Sequence, residues 1–95
     1  MRYISDEQWL ACLSYFDGQC AYCGTTRGRL TVDHLVPQSK GGTSTLNNMV
    51  PACEACNQRK ADHEWREWMM SQEGFSQDRM NRVYTWRRIA REAGM

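Results

Sequence analysis

The sequence predicts a small α+β fold that is held together by a structural zinc ion. Three observations lead to this fold class. The chain has 95 residues, so it can bury only about 60–65% of its unfolded surface and is short of hydrophobic core. It contains two C-x-x-C pairs, and two short β-rich runs lie between segments of helical periodicity. We expect one domain over residues 1–95, with an N-terminal helix (1–19), a zinc-bound core (20–60) and a helical C-terminal extension (61–95).

The composition is that of an ordinary globular protein, with 41% hydrophobic and 24% charged residues and a net charge of +1. No apolar run approaches the roughly 20 residues that a membrane span needs, and Met1-Arg2-Tyr3 shows no signal-peptide pattern. We therefore expect a cytoplasmic chain with no membrane partner. Basic residues are concentrated in the C-terminal part, where residues 57–95 hold eight Lys and Arg against six Asp and Glu. A polyanion would therefore be bound locally rather than by a global field.

The cysteine spacing predicts a structural zinc site. Cys20 and Cys23 form one C-x-x-C pair, and Cys53 and Cys56 form the other. Two residues between thiolates let a tight turn present both sulfurs to one tetrahedral ion. The alternative is a pair of redox dithiols or disulfides, which a reducing cytosol and the lack of a thioredoxin-like βαβ pattern disfavour. Cys12 is left over, and we interpret it as an inert thiol buried in a helix.

The first helix is predicted from its capping pattern. Ser5 is an N-cap residue with Gln8 three positions later, which is a capping box. Apolar residues then recur at helical spacing, namely Trp9, Leu10, Leu13 and Phe16. We expect this helix to run to about Asp17, where Gly18 stops it.

The central segment reads as a turn, a strand, a loop, a second strand and a helix. The first cysteine pair occupies a turn at 20–24, and the first strand is predicted at 29–34. A loop rich in Ser, Thr, Lys and Gly follows at 38–45, and a second extended piece is predicted at 48–52. A helix should begin at Glu54 and continue through two tryptophans to Met70.

The last helix is predicted after Gly74, with Ser76 as its cap. At 100° per residue one face carries Val83, Trp86, Ala90 and Ala93, and a separate arc carries Tyr84, Arg87, Arg88 and Arg91. We predict that the three arginines contact the phosphates of a polyanion; the alternative is a solvated helix face. The helical tryptophans could stack on bases, but packing is the favoured interpretation for a chain short of core, and these are Trp65, Trp68 and Trp86.

Asp33-His34 and Asn57 indicate a second metal site with hydrolytic chemistry. The first two end a strand and Asn57 follows a zinc cysteine, so zinc binding should fix these segments against one another. Asp33 and Asn57 offer oxygen ligands, which suit Mg²⁺ or Mn²⁺. His34 carries an imidazole, the side chain best suited to taking a proton from water at neutral pH. The plainer alternative makes Asp33 a cap or ion-pair partner and His34 a structural group.

The segment from Cys20 to Lys60 resembles the HNH endonucleases. Its pattern is C-x-x-C…D-H-x-x-P…N…C-x-x-C-N-x-x-K, and it covers a little under half of the chain. The resemblance implies a ββα-metal core and hydrolysis of DNA phosphodiester bonds with little sequence specificity. The implied products carry 5′-phosphate and 3′-hydroxyl ends, and a single site per chain favours nicking.

The resemblance also implies roles for individual residues. His34 would be the general base, and Asp33 and Asn57 would hold the catalytic divalent ion. Asn48 matches the central Asn of the catalytic motif, which braces the loop between the strands and so orients the histidine. Lys60 matches the lysine after the second cysteine pair, where we predict a phosphate contact.

One position departs from the family pattern. Many members carry a further histidine one helical turn after the Asn57 position, and Ala61 stands there instead. His63 is a tempting substitute, but six residues along a continuous helix would turn it about 240° away from Asn57. Its role stays open.

Two alternatives to a nuclease remain. A catalytically inactive zinc-stabilised DNA-binding module would keep the cysteines and the arginines without needing Asp33, His34 or Asn57. A scaffold subunit of a phage assembly is also compatible, with phage packaging or restriction proteins as partners. The sequence leaves the oligomeric state open.

Overall fold

The computed structural model describes residues 4–95, so Met1-Arg2-Tyr3, on which the signal-peptide expectation rests, lie outside it. Its regular elements are α1 (Asp6–Tyr15), β1 (Leu30–His34), β2 (Met49–Cys53), α2 (Glu54–Lys60), α3 (Trp65–Ser71) and α4 (Gln77–Glu92). Within this range the strands form a two-stranded sheet, which confirms the predicted α+β class. None of the helices described is long and apolar enough to cross a membrane.

The first helix begins as predicted and ends slightly earlier. The Ser5 side chain accepts a hydrogen bond from the backbone of Gln8, and the Gln8 side chain accepts one from the backbone of Ser5. The helix ends at Tyr15, two residues before the predicted end. Asp17 and Gly18 adopt positive φ angles of 56° and 67°, and this left-handed geometry cannot continue a right-handed helix. The turn delivers the chain to the first cysteine pair.

The two strands pair antiparallel, from Leu30 opposite Cys53 to His34 opposite Met49. The loop between them contains two short 3-10 turns and folds tightly on itself. A side chain at Gly42 would place its Cβ 1.7 Å from the Val36 carbonyl oxygen, so only glycine fits there. The compact loop brings β2 back alongside β1 so that His34 pairs with Met49 at the end of the sheet.

The predicted helix from Glu54 to Met70 is wrong, because the chain forms two helices there. Ala61 ends α2 with φ 47° and ψ −123°. The buried residues explain the break. Trp65 lies nine positions after Cys56, which is about 180° around a straight helix. A continuous helix would therefore point one of these two buried residues away from the core, whereas two helices bury both.

The last helix packs its apolar face into the core. Ser76 caps it as predicted, and Val83, Trp86 and Ala90 are buried. Ala93 was expected on the same face but is exposed, because α4 ends at the preceding residue. The helical tryptophans are core residues, as predicted, and their exposed fractions are at most 7%: Trp65, Trp68 and Trp86. The indole of the last one donates to the Met49 carbonyl oxygen at 2.9 Å, which ties α4 to β2.

Candidate functional site

Four cysteine sulfurs gather where the sheet meets α2. The ligand atoms of Cys20, Cys23, Cys53 and Cys56 all lie within 4.8 Å of one another. Cys23 Sγ and Cys53 Sγ are 3.8 Å apart. Four thiolates at about 2.3 Å from a tetrahedral Zn²⁺ would be separated by about 3.8 Å. The cluster is therefore positioned to hold a metal ion and is consistent with a structural zinc.

Local hydrogen bonds assemble this cluster from three parts of the chain. Cys53 ends β2 and also caps α2, because its sulfur accepts a hydrogen bond from the Cys56 backbone N–H at 3.4 Å. The first cysteine pair is joined to the same strand by Ala21, whose backbone N–H donates to the Pro51 carbonyl oxygen at 2.8 Å. The strand, the helix and the turn thus share one anchoring point.

The fifth cysteine is separate from this cluster. Cys12 is fully buried in α1, and its sulfur lies 3.8 Å from the Met49 carbonyl oxygen. Burial raises the pKa of its thiol to about 12. The thiolate is therefore scarce at neutral pH, which agrees with the prediction of an inert thiol.

Helix α2 covers the sheet face that carries Thr31 and Asp33. Asn57 Nδ2 donates to Thr31 Oγ1 at 2.9 Å, and Lys60 Nζ lies 3.2 Å from Asp33 Oδ2. Residues three apart on a helix share a face, and so do residues two apart on a strand. Asn57 and Lys60 on α2 therefore contact Thr31 and Asp33 on β1 side by side. The structure thereby brings Asp33 and Asn57, the two predicted ligands of a catalytic ion, onto one shared surface.

The Asp33 carboxylate is buried and doubly held. Its exposed fraction is 6%, and Tyr22 Oη donates to the same oxygen, Oδ2, that pairs with Lys60. Burial raises the pKa of this carboxyl group, while the Lys60 charge and the Tyr22 hydrogen bond lower it. Burial, followed by the Asp33 charge, raises the pKa of the Tyr22 hydroxyl. The tyrosine therefore stays protonated and donates to the Asp33 carboxyl group.

Each predicted ligand keeps an oxygen that is not hydrogen-bonded. Across residues 4–95 no hydrogen bond reaches Oδ1 of Asp33, because both of its contacts fall on Oδ2. Asn57 is held through Nδ2, and within the same residues its Oδ1 accepts no hydrogen bond. A carboxylate oxygen and an amide oxygen are the donors that a hard divalent cation prefers. These two residues therefore fit the ion that the sequence predicted.

Lys60 lies inside the protein, which differs from the predicted phosphate contact. Its side chain is fully buried, and Nζ donates to the His34 carbonyl oxygen at 3.0 Å in addition to its ion pair with Asp33. The ammonium group is therefore used internally in this structure. Its spacing after Cys56 and Asn57, four and three residues, could have indicated an inward-facing position.

His34 is the last residue of β1 and directly follows Asp33. Its backbone is fixed by pairing with Met49 and by the Lys60 ammonium group. Its Nε2 atom is buried and has no hydrogen-bond partner within the described part of the chain. A buried imidazole nitrogen without a partner is rare in folded proteins and calls for a ligand or a water molecule.

Asn48 forms the braces that its motif position implies. Its Oδ1 accepts from the Val36 backbone N–H at 3.0 Å, and its Nδ2 donates to the carbonyl oxygens of Val36 and Thr43 at 3.0 and 2.8 Å. The Asn48 backbone carbonyl accepts from Leu35 at 2.9 Å. With 3% exposure, this side chain holds the loop directly after His34.

The three C-terminal arginines have different environments. Arg88 and Arg91 are exposed, whereas Arg87 is half-buried over the Trp65 ring at 6.0 Å. Burial lowers the pKa of Arg87, and its Nε is buried with no partner among residues 4–95. Arg87 also lines an open depression together with the loop residues Gly41 and Gly42. It thus connects the arginine face to the loop that follows His34.

His63 does not join the predicted catalytic residues. The direction predicted for His63 assumed a continuous helix, and the helix instead ends before it, at Ala61. His63 is exposed and lines an open depression with Glu64, Glu67 and Ser71. This surface contains none of the predicted ligands.

Sequence reasoning missed two residues that organise the site. Tyr22 holds the Asp33 carboxylate, and Arg79 Nε donates to the Tyr22 carbonyl oxygen at 3.0 Å. An aromatic residue between two cysteines of the cluster could have indicated the first. No local signal indicated the second, because Arg79 lies 57 residues from Tyr22 in the chain.

Comparison with known proteins places these residues in a family. The HNH endonuclease family profile matches residues 20–63. A protein of the SPbeta prophage of Bacillus subtilis (strain 168), YoqL, assigned by name to the HNH endonucleases, is 31% identical over 94 residues, covering 87% of this chain and 41% of that protein. The CRISPR-associated endonuclease Cas9 of Corynebacterium diphtheriae is 42% identical over 53 residues, covering 53% of this chain and 5% of Cas9. Anaredoxin of a Nostoc species is 33% identical over 39 residues, covering 41% of this chain and 51% of that protein.

The chain thus spans about two fifths of YoqL and about a twentieth of Cas9. The family match begins at the first zinc-cluster cysteine and includes all of the predicted metal ligands and the candidate base. It agrees with the antiparallel strand pair followed directly by a helix. The chain therefore carries an HNH endonuclease domain at residues 20–63.

Proposed function

We propose that this protein is a divalent-metal-dependent endonuclease that hydrolyses DNA phosphodiester bonds, nicking one strand with little sequence specificity. The observation that carries the proposal is the buried, unpartnered Nε2 of His34, which follows Asp33 directly at the end of β1, while Asp33 and Asn57 each keep a free oxygen. A candidate base and an acidic ligand thus end β1, and α2 holds an amide ligand against the same strand. The match to the HNH endonucleases supports the same chemistry.

His34 is the general base in this proposal. Its neutral imidazole accepts a proton from the water molecule that attacks phosphorus in line with the departing 3′ oxygen. The backbone of His34 is held from two sides, by pairing with Met49 and by Lys60, so the ring is presented from a rigid strand end. Asn48 restrains the following loop and so limits how far the ring can move.

Asp33 and Asn57 would hold the catalytic Mg²⁺ or Mn²⁺ through their free oxygens. Such an ion supplies neutralisation of charge on the phosphate and on the leaving oxygen. The chain itself orients both ligands, because Lys60 and Tyr22 hold the carboxylate while Thr31 holds the amide. The zinc cluster holds the two segments that carry these ligands.

DNA would be bound by the C-terminal arginines. Arg88 and Arg91 are exposed on α4 and can reach phosphates, and Arg87 adds a charge next to the loop after His34. Phosphate contacts position DNA without reading its sequence, which accords with low specificity. The prophage origin of YoqL suggests a phage role for this chain, with packaging or restriction proteins as partners.

The test is cleavage of supercoiled plasmid by zinc-loaded protein with Mg²⁺ or Mn²⁺ and without added divalent ion. We expect open-circular product only with the ion, and we expect His34→Ala to lower the rate by about 10²–10⁴-fold. Zinc content and plasmid binding should be unchanged in that variant. His63→Ala is the matched control and should cleave at the wild-type rate, because His63 lies on a different surface.

Two results would refute the proposal. Plasmid that stays intact with every divalent ion, while still being bound, would identify the inactive DNA-binding module. Cleavage by His34→Ala at the wild-type rate would show that Asp33-His34 is structural.

A further inference from the structure

Tyr22 is buried in the core, yet its hydroxyl group contacts a predicted metal ligand, Asp33. We infer that Tyr22 is a positioning residue that transmits the geometry of the zinc cluster to the Asp33 carboxylate and so sets its affinity for the catalytic divalent ion. This inference rests on the proposed function of Asp33. It concerns a residue for which neither the motif nor the sequence comparisons give a role.

The tyrosine sits inside the zinc-binding turn. It lies between Cys20 and Cys23, and its exposed fraction is only 4%. Its hydroxyl donates to Asp33 Oδ2, eleven residues away in the chain. One side chain therefore connects the structural metal cluster to a predicted ligand of the catalytic ion.

The position of the tyrosine is determined without Asp33. Its ring packs edge-on against Trp68, with ring centroids 5.2 Å apart and an interplanar angle of 83°. Its carbonyl oxygen accepts from Arg79 Nε at 3.0 Å, and its neighbour Ala21 is hydrogen-bonded to β2. Because the turn, α3 and α4 all hold Tyr22, its hydroxyl is a fixed reference point to which the carboxylate adjusts.

The hydroxyl is not needed to compensate the Asp33 charge. Lys60 supplies a buried counter-charge 3.2 Å from the same carboxylate oxygen. Lys60 comes from α2, whereas Tyr22 comes from the zinc-binding turn. A hydrogen bond and an ion pair from different elements on Oδ2 restrain the carboxylate and leave Oδ1 without a partner among residues 4–95. Hydrogen bonds to a metal-ligating carboxylate commonly change metal affinity by about 10–100-fold.

The test measures Mn²⁺ binding to zinc-loaded protein in the absence of DNA, by the electron paramagnetic resonance signal of free Mn²⁺. Tyr22→Phe removes only the hydroxyl. We expect it to weaken Mn²⁺ binding by about 10–100-fold, with one zinc per chain retained. Tyr15→Phe is the matched control, because Tyr15 packs against Phe16 and Trp86 through its ring, and it should bind Mn²⁺ like the wild type.

A double variant separates positioning from general loosening of the fold. In an Asp33→Asn background, Tyr22→Phe should cause no further loss of Mn²⁺ affinity, because the carboxylate through which it acts is absent. An additional loss there would overturn the inference. So would a Tyr22→Phe protein that loses zinc or fails to fold, because the hydroxyl would then serve the fold.

The outcomes also distinguish this inference from the proposed function. If Asp33→Asn binds Mn²⁺ as tightly as the wild type, then Asp33 is not a ligand and both ideas fail. If binding depends on Asp33 but Tyr22→Phe matches the wild type, the inference alone fails and the proposed nuclease site stands.

Discussion

Replacing Lys60 with methionine should remove a large fraction of the unfolding free energy of this domain. The wild-type ammonium group is fully buried, 3.2 Å from Asp33 Oδ2 and 3.0 Å from the His34 carbonyl oxygen. Methionine fills similar space but provides neither the charge nor the donor. At neutral pH the variant would keep a buried carboxylate without its counter-charge.

The magnitude follows from that burial. Removing one partner of a buried ion pair costs about 3–5 kcal/mol, far more than the 0–1 kcal/mol of an exposed pair. A domain of this size has a total unfolding free energy of only about 5–14 kcal/mol. We therefore expect a partly unfolded or strongly destabilised protein. Arg59→Met is the matched control on the exposed side of the same helix, where a change within about 0.5 kcal/mol is expected.

The pH dependence has a defined sign. Burial raises the pKa of Asp33 above its ordinary value of 3.8, and Lys60 opposes this rise. A carboxyl group with a raised folded-state pKa stabilises the fold fully below 3.8 and loses that contribution as pH rises through its folded-state pKa. Without Lys60 that pKa moves further up. The deficit of Lys60→Met should therefore be smallest near pH 4 and grow toward neutral pH.

The assay is urea unfolding at a fixed free zinc concentration, at pH 4.5 and pH 7, for the single variants and for the double variant Lys60→Met with Asp33→Asn. Removing both charges should recover most of the lost free energy at pH 7, because no uncompensated carboxylate remains. A Lys60→Met protein as stable as the wild type would refute the argument. A double variant no more stable than Lys60→Met would do so as well.

Three further predictions concern the zinc cluster, the arginine face and the helix break. Cys53→Ser should release zinc and lose much of the helical circular dichroism, measured with elemental analysis, because zinc binding contributes to folding; a folded variant without zinc would contradict this. Replacing Arg87, Arg88 and Arg91 together by alanine should flatten the log–log salt dependence of DNA binding by up to about 0.9 per lost contact, and an unchanged slope would indicate a solvated face. Ala61→Gly should raise the unfolding free energy by about 1 kcal/mol in calorimetry, since φ is 47° at this position; a lower melting temperature would show that Ala61 is unstrained.

Local patterns were sufficient to predict much of this protein. The capping box at Ser5, the strand ending in Asp33-His34 and the cap at Ser76 depend on residues within a few positions of each other, so the sequence alone indicated them. The cysteine spacing also sufficed for the zinc cluster, because the geometry of a four-thiolate site is set by the ion. The hydrogen bonds from Asn48 to the loop after His34 were likewise indicated by its place in the HNH motif.

Other features depended on contacts between distant segments. The helix break at Ala61 arises because two sets of buried residues, one with Lys60 and one with Trp65, lie on different sides of a straight helix. Periodicity alone cannot show this, since each set is regular by itself. Where a helix bends is decided by the core that it must cover.

The environment of the candidate site was also decided only by the tertiary structure. The sequence alone indicated which residues would carry the proposed chemistry, Asp33, His34 and Asn57, through their types and spacing. Packing of α2 on the sheet determined that Lys60 turns inward, and docking of the zinc-binding turn placed Tyr22 on the same carboxylate. Burial converts these polar residues into a charged, hydrogen-bonded network, because a carboxylate withdrawn from water must find its partners within the protein.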